Sequence, residues 1–549
     1  MIMKALLALG LLLIDVGRPA AEIIPLDRRI AWSPGVRGDI PNRTDIINVR
    51  DAPYNAAGDG IADDWAAIQD AIRGARNGQV VYLPRGTYLI GAGLSIDRGI
   101  TLRGDGPDKT TIDYAGSSRI DILRTMHRGG TGDPIAITHG NAKNSRVITV
   151  ASESAIEANS YIVITHNNNP NLVRTRTARR DCHWCGNDNP SQAMTQINKV
   201  LAKNANKLTL ERPLYFDYVN SPVIKPLQMV ENVGVEDLLV RRSNPAARDG
   251  SNIHLNRCSN CWVKNVKSDM AGHNHVVLRS AYANTVRDSW FSDGWDHGAG
   301  RSYGIFLLGW NSDHLIENNI VYRCRHALIL EGGGSGNVFG YNYSVGSIAE
   351  PDTNWLAEDI STHGAHPFMN LFEGNVVGKL SHDNTWGSGS HNTTFRSWIQ
   401  NYSSGAVAPT YGRYAVDVEA NNYENNIVGC IIGRQGDAGV RYATGRASHS
   451  RLMSYRLGFP SPGRGGVSDT SAKSRTLIHG NYDYIGAGTV WDKRNADRKL
   501  PASLYLSAKP AWFGALAWPA FGPDLSPKAG TIPAVVRYDV GTEASRMTR

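Results

Sequence analysis

Long apolar runs are missing from this sequence. Beyond the N-terminal segment no hydrophobic stretch approaches the roughly 20 residues that a membrane-crossing helix needs, so a bundle of transmembrane helices is excluded. Cysteine is scarce, with 6 in 549 residues. That suits an oxidising compartment and excludes a scaffold built from disulfides. Cys182-His-Trp-Cys185 and Cys258-Ser-Asn-Cys261 share a C-x2-C spacing, but 72 residues lie between them, whereas a zinc ribbon wants its pairs about 15–20 apart. Thiols or disulfides are expected there rather than zinc. A dominant charge of one sign is also missing. The chain has a formal charge of +8, yet residues 231–440 carry 15 basic against 21 acidic groups, so no nucleic-acid-binding surface follows from the sum. Tight hairpin signals such as Asn-Gly between apolar runs are sparse, which argues against an antiparallel sandwich.

What is present is enough apolar material for large cores, 41% hydrophobic against 20% charged. Lys4, the apolar run Ala5 to Ile14, and the small residues Ala20 and Ala21 read as a secretory signal. Secretion to the extracellular space or the periplasm is therefore expected, with residues 1–21 removed. The chain divides into a cap with first coils (22–115), an inserted β subdomain (116–230), central coils (231–440) and a basic extension rich in Pro and Trp (441–549).

The central section repeats. An apolar residue, often followed closely by Asn or Asp, recurs at Val235, Val263, Val286, Ile316, Phe339, Phe372, Phe395 and Tyr423, at intervals of 28, 23, 30, 23, 33, 23 and 28 residues. A recurring minimum with insertions is the arithmetic of stacked coils, none of which can bury its apolar face alone. The Asn, Gly and β-branched content excludes helical repeats. The fold class is all-β: a parallel β-helix solenoid, with Asn side chains stacked at its turns. At the front, Gly58-Asp59-Gly60 leads into Asp63-Asp64-Trp65, and Trp65, Ile68 and Ile72 share one helical face. An amphipathic helix is expected to cover the open end of the stack.

The stretch from Asn48-Val49-Arg50-Asp51 to Ile90 resembles the N-terminal module of the pectate-lyase-like superfamily, of the rhamnogalacturonase/epimerase type. Its residues are Gly58-Asp59-Gly60, Asp63-Asp64, Ala67-Ile68-Gln69, Ala71-Ile72 and Tyr82-Leu83-Pro84 before Gly86-Thr87-Tyr88. The resemblance implies a right-handed parallel β-helix acting on polysaccharide. It transfers no catalytic residue, because Asp59, Asp63 and Asp64 belong to a structural cap.

The repeat supplies a register for chemistry. Counting 13 residues back from five successive anchors reaches His273, Tyr303, His326, Asp359 and His382, which would stack about 4.8 Å apart in one column. Counting back nine reaches Val277, Leu307, Leu330, His363 and Trp386. The richest segment is Glu358-Asp359 through His363 and His366, with His382-Asp383 one coil later and Arg396 beyond it. Two reactions fit. In β-elimination from a uronate, His363 or His382 is the base and Glu358, Asp359 and Asp383 hold Ca²⁺. In glycoside hydrolysis, Asp359 and Asp383 form the carboxylic acid pair. Asp359, His363, His382 and Asp383 are the expected catalytic residues. His273, Tyr303, His326, His366, Trp386 and Arg396 are expected to bind sugar. Elimination is the preferred reading, hydrolysis the next, and a non-catalytic glycan-binding solenoid the third. In the last hundred residues Trp512, Phe513 and Trp518 are expected to pack on the outside of the solenoid.

Overall fold

The structure is a computed structural model. It describes residues 23–547 apart from 128, 153–155, 175–190, 405–407, 445–450 and 463–466. The expected signal segment and the Cys182–Cys185 motif lie outside the described residues.

The chain winds as a parallel β-helix with three faces. Face one runs through Ile46–Asn48, Val80–Tyr82 and Thr101–Arg103 to Leu315–Glu317, Val338–Gly340, Leu371–Glu373, Thr393–Phe395, Asn426–Val428 and Leu477–His479. Face two follows after a short corner, and the long strands Gly234–Arg242 and Trp262–Ala271 run through that corner from one face into the other. Face three is a separate sheet of parallel strands. It includes Ile253–Asn256, Asn274–Tyr282, Tyr303–Ser312, His326–Glu331, Ile360–Thr362, Leu380–His382, Tyr414–Val418 and Met453–Leu457. Side chains alternate in and out along each strand, so one column per face fills the interior. On face one that column is Val286, Ile316, Phe339, Phe372, Thr394 and Ile427. Phe339 and Phe372 stack with ring centres 5.1 Å apart.

Two of the sequence anchors are corrected here. Thr394 rather than Phe395, and Ile427 rather than Tyr423, continue the inward column. Phe395 instead clusters with Leu371, Val428 and the C-terminal Leu500 and Leu504. An aromatic residue can serve either side of a strand, so apolarity alone did not mark the inner one.

The corners are held by asparagine. Asn319 Nδ2 donates to Asn342 Oδ1, and Asn342 Nδ2 to Asn375 Oδ1, each at 3.0 Å. A second ladder links Asn337, Asn370, Asn392 and Asn425 on the other side of face one. Each amide pairs with the coil beyond and caps backbone that a tight corner would otherwise leave unsatisfied.

Helix Trp65–Gly74 covers the N-terminal end, with Ile68, Ala71 and Ile72 buried. Asp64 accepts from the backbone N–H groups of Ala57 and Gly58 at 2.6 and 3.0 Å, which shapes the preceding turn. A closed six-stranded barrel, Ile135–His139 to Val223–Leu227, interrupts the coils. Leu123–Thr125 stays in face three, paired with Leu94–Ile96. The barrel docks through Tyr161, Val163, Ile197 and Leu227 against Tyr282 and Trp310 of the helix. At the C-terminus Trp512, Phe513, Trp518 and Phe521 pack around Tyr341 and Trp398 on the outside of face two. The cysteines at 258, 261, 324 and 430 are buried free thiols.

Candidate functional site

Face three carries its chemistry on the outer side, in columns set by the pairing. Tyr303 lies beside His326, and the chain one coil on brings Glu358 to the same edge. The His326 Nδ1 is 2.7 Å from the Glu358 carbonyl oxygen. A carbonyl only accepts, so Nδ1 carries the proton, and the neutral ring presents a lone pair at Nε2. Glu358 in turn accepts from Lys379 Nζ at 2.9 Å, and that ammonium sits 4.1 Å from the Tyr414 ring centre. Burial opposes the charge on Lys379, but Glu358 overrides it and keeps the amine protonated.

A second outer column contains Glu331, His363, Asp383 and Glu419, read from the pairing of Leu330 with Thr362, Thr362 with His382 and His382 with Val418. His363 Nδ1 is 2.6 Å from Asp383 Oδ2, and its Nε2 is 3.9 Å from Glu331. Asp383 is itself fixed by Ser361 Oγ at 2.9 Å and the Thr385 N–H at 2.8 Å. Glu419 is held by the Asn384 N–H, by Ser461 and by Arg456.

The two columns meet where the His326 and His363 ring centres lie 6.2 Å apart, with Tyr303 5.1 Å from His326. Their protonation differs. Burial lowers the His326 value to about 4 against the weaker pull of Glu358, so this imidazole is neutral. Burial would also lower His363, but Asp383, Glu331 and Glu358 outweigh it and raise the value to about 9. One neutral imidazole and one imidazolium therefore face the same space. Burial raises the Tyr303 phenol, which stays protonated.

Of the sequence-derived residues, Tyr303, His326, His363, Asp383 and Glu358 are thus brought together. Others are not. His382 pairs with Thr362 and points inward, 6.3 Å from the Phe372 ring, and burial holds it neutral at about 4. Asp359 turns to another corner, where it accepts from Ser344 at 2.8 Å, from Ser347 and from the Gly378 N–H. It borders a separate cavity of about 230 Å³ with Tyr402 and Arg434. His366 is buried between Ser388 and Ser390. Arg396 leaves this face altogether and clamps the C-terminal segment through Asp524, Pro501 O and Phe521 O. His273 is exposed beyond the far end of the Tyr303 column, and Trp386 is half-buried in the loop after Asp383. For the column counted 13 residues back, the turns between faces vary in length, so the fixed count reaches different positions on face three in different coils.

The expected calcium ligands do not fit a shared ion. Glu358 is committed to Lys379, Asp383 to His363 and Asp359 to a different corner. Among the described residues no group of three or more His, Cys, Asp or Glu side chains is arranged to hold a metal.

Glu331, Lys379, Glu419 and Arg456 escaped the sequence reading. Glu331 was within reach, five residues after His326 on the same strand. Beside Lys379 lies a cavity of about 350 Å³ lined by Arg325, Glu350, Asp352, Trp355, Tyr411 and Tyr414. Gly412, at φ +69°, lets the backbone pass against Trp355; a Cβ there would lie 2.4 Å from the indole.

Residues 46–213 match the family model described as Rhamnogalacturonase A/epimerase, pectate lyase-like. No curated protein matches the chain in sequence. Among solved structures it is similar to the tailspike gp61 of Pseudomonas phage phi297, with 16% identity and a TM-score of 0.51 over 76% of this chain and 71% of that one. It is also similar to the tailspike gp49 from Pseudomonas phage LKA1, with 17% identity and a TM-score of 0.50 over 71% of this chain. The match spans 64% of that tailspike. At such identities the likeness is one of fold.

Proposed function

We propose, from the match of residues 46–213 to the pectate-lyase-like family model and the paired histidines of face three, that this chain cleaves an acidic polysaccharide by β-elimination. The observation that carries the reading is the split between His326, at about 4, and His363, at about 9, with rings 6.2 Å apart. Neighbouring titratable groups pushed in opposite directions are how one site supplies both a base and an acid at neutral pH.

Elimination needs three things of a uronate unit. Its carboxylate must be neutralised, the proton on the adjacent ring carbon removed, and the leaving oxygen protonated. The His363 imidazolium, oriented by Asp383, faces the carboxylate. The Nε2 lone pair of His326 takes the carbon-bound proton. The electron pair forms the new ring double bond as the carbon–oxygen bond to the next sugar breaks, and the Tyr303 O–H donates to the departing oxygen. A bound uronate adds negative charge beside both rings and raises both values, which makes His326 a stronger base in the complex than in the free protein. The acidic character of residues 231–440 agrees with this scheme because much of it is neutralised locally, Glu358 by Lys379 and Asp417 by Arg456.

Hydrolysis is the second reading, favoured by the Glu331 carboxylate at the His363 Nε2. Incubation with a panel of polyuronates separates the two. Elimination produces the ultraviolet absorbance of an unsaturated uronate, whereas hydrolysis produces reducing ends without it. Retention of full activity in both His326→Ala and His363→Ala would overturn the assignment. We also propose export, from the N-terminal segment, to be checked by N-terminal sequencing of the mature protein after cell fractionation.

A further inference from the structure

The longest interval of the repeat, the 33 residues from Phe339 to Phe372, holds a loop between the strands Tyr343–Val345 and Ile360–Thr362. The segment just before Tyr414–Val418 is tied to that loop. The Leu356 N–H donates to Tyr411 O at 3.0 Å, the Thr410 N–H to Asn354 O at 2.8 Å, and Asn354 Nδ2 to Thr410 Oγ1 at 3.1 Å. This pairing sets Trp355 opposite Tyr411. Both are half-buried, and with the buried Tyr414 they line the cavity of about 350 Å³ beside Lys379. The Tyr414 hydroxyl has no hydrogen-bond partner among the described residues, a buried polar group of the kind that calls for one. Loops held on a rigid scaffold are where ligand contacts concentrate, and a cavity of this size with aromatic walls and a few polar groups suits a small ring-shaped ligand.

The cavity adjoins the paired histidines. Arg325, on its wall, directly precedes His326 in the chain. Lys379, 5.2 Å from the Trp355 ring centre, holds Glu358, whose carbonyl oxygen accepts from His326. His363 lies at the other end of the strand His326–Glu331, beside Glu331. The charges in the cavity do not suit a carboxylate. Its described lining residues carry two carboxylates, Glu350 and Asp352, against the single guanidinium of Arg325. Arg325 is already engaged with the carbonyl oxygens of His297 at 2.8 Å and Glu350 at 3.2 Å, and Lys379 with Glu358. A bound carboxylate would meet like charge from Glu350 and Asp352. An uncharged sugar instead covers the indole and phenol with the apolar face of its ring and offers hydroxyl donors to those carboxylates.

We propose that this cavity is a subsite for an uncharged pyranose ring, so that the polysaccharide cleaved at His326 and His363 is a mixed polymer in which the uronate is joined to a neutral sugar. The position of the cleaved bond rests on the elimination reading. Trp355 and Tyr411 supply the stacking surface, and Glu350 and Asp352 accept from the ring hydroxyls.

Affinity electrophoresis of the full chain tests the proposal. One set of gels contains hyaluronan, gellan or xanthan, in which uronates are joined to uncharged sugars; the other contains polygalacturonate or alginate, which are uronates throughout. The expected result is stronger retardation by at least one mixed polymer than by either homopolyuronate. Trp355→Ala and Tyr411→Ala should each weaken that retardation about fivefold or more, and Trp355→Phe should retain most of it. Retardation by the homopolyuronates should be unchanged in all three, which a misfolded chain would not show. Should Trp355→Ala not fold, Tyr411→Ala decides alone. If no mixed polymer retards the protein more than the homopolyuronates do, or if the folded variants bind like the wild type, the subsite is overturned. If they lose binding while His326→Ala and His363→Ala still cleave, the subsite stands and the elimination site falls.

Discussion

His363 and Asp383 form the most consequential contact between two residues, because it sets a charge rather than a shape. The His363 value of about 9 lies above the ordinary 6.5, so the pair stabilises the fold below about pH 6.5 and that contribution is lost as pH rises through 9. The same values shape activity. We expect kcat/KM to be bell-shaped, with an acid limb near pH 4 from His326 and an alkaline limb near 9 from His363. In Asp383→Asn, burial acts on His363 without its strongest counterweight, so the alkaline limb should move to lower pH and kcat should fall. A pH–rate profile checks both, and an unmoved limb would exclude Asp383 as the positioning residue. His326→Ala and His363→Ala should each cost about 10²- to 10⁴-fold in kcat. Because Glu358, Asp359 and Asp383 do not converge, activity is expected to survive treatment with a chelator.

At the scale of elements, the corners and the C-terminal segment matter more than any single strand. Asn342 takes its place in a ladder, donating to Asn375 and to Ile316 O and accepting from Asn319. Asn342→Ala leaves buried partners unsatisfied and should cost about 2–3 kcal/mol, read as a lower denaturation midpoint. Arg396 joins the helix to the C-terminal segment by hydrogen bonds to Asp524 and to the carbonyls of Leu500, Pro501 and Phe521. Its replacement by Ala is expected to cost about 2–3 kcal/mol and to expose that segment to limited proteolysis, with little effect on kcat. Retained stability and full protease resistance would show that the aromatic packing of Trp512, Phe513 and Phe521 suffices without the clamp. The anchors at Val286, Ile316, Phe339 and Phe372 were legible because bulky apolar residues occupy every one of these inner positions. Thr394 was not, since a small polar residue on an inward column carries no apolar signal while its neighbour Phe395 does.

At the scale of the molecule, the solenoid interior is dry enough to hold several histidines neutral. Burial lowers His275, His314 and His366 to about 3 and His382 to about 4, against an ordinary 6.5. The unfolded chain binds protons below pH 6.5 that the folded one refuses, so stability should fall as pH drops from 6.5 toward 4, seen as a declining calorimetric midpoint. A constant midpoint across that window would place these rings in contact with water. The sequence by itself determined the architecture, because a β-helix is written in a local period: inner apolar positions, corner amides and an amphipathic cap recur at spacings visible along the chain. It also placed His326, His363 and Asp383 on adjacent coils, where the structure brings them together. Only the tertiary structure decided which side each residue faces. A one-residue change in a turn moves a side chain from solvent to core; His382 points inward, Asp359 turns to another corner and Arg396 lies against the C-terminal segment. Tertiary structure likewise decided how the barrel meets the coils, since Lys225 of the barrel lies 5.7 Å from the ring centre of Trp310, which is far from it in the chain.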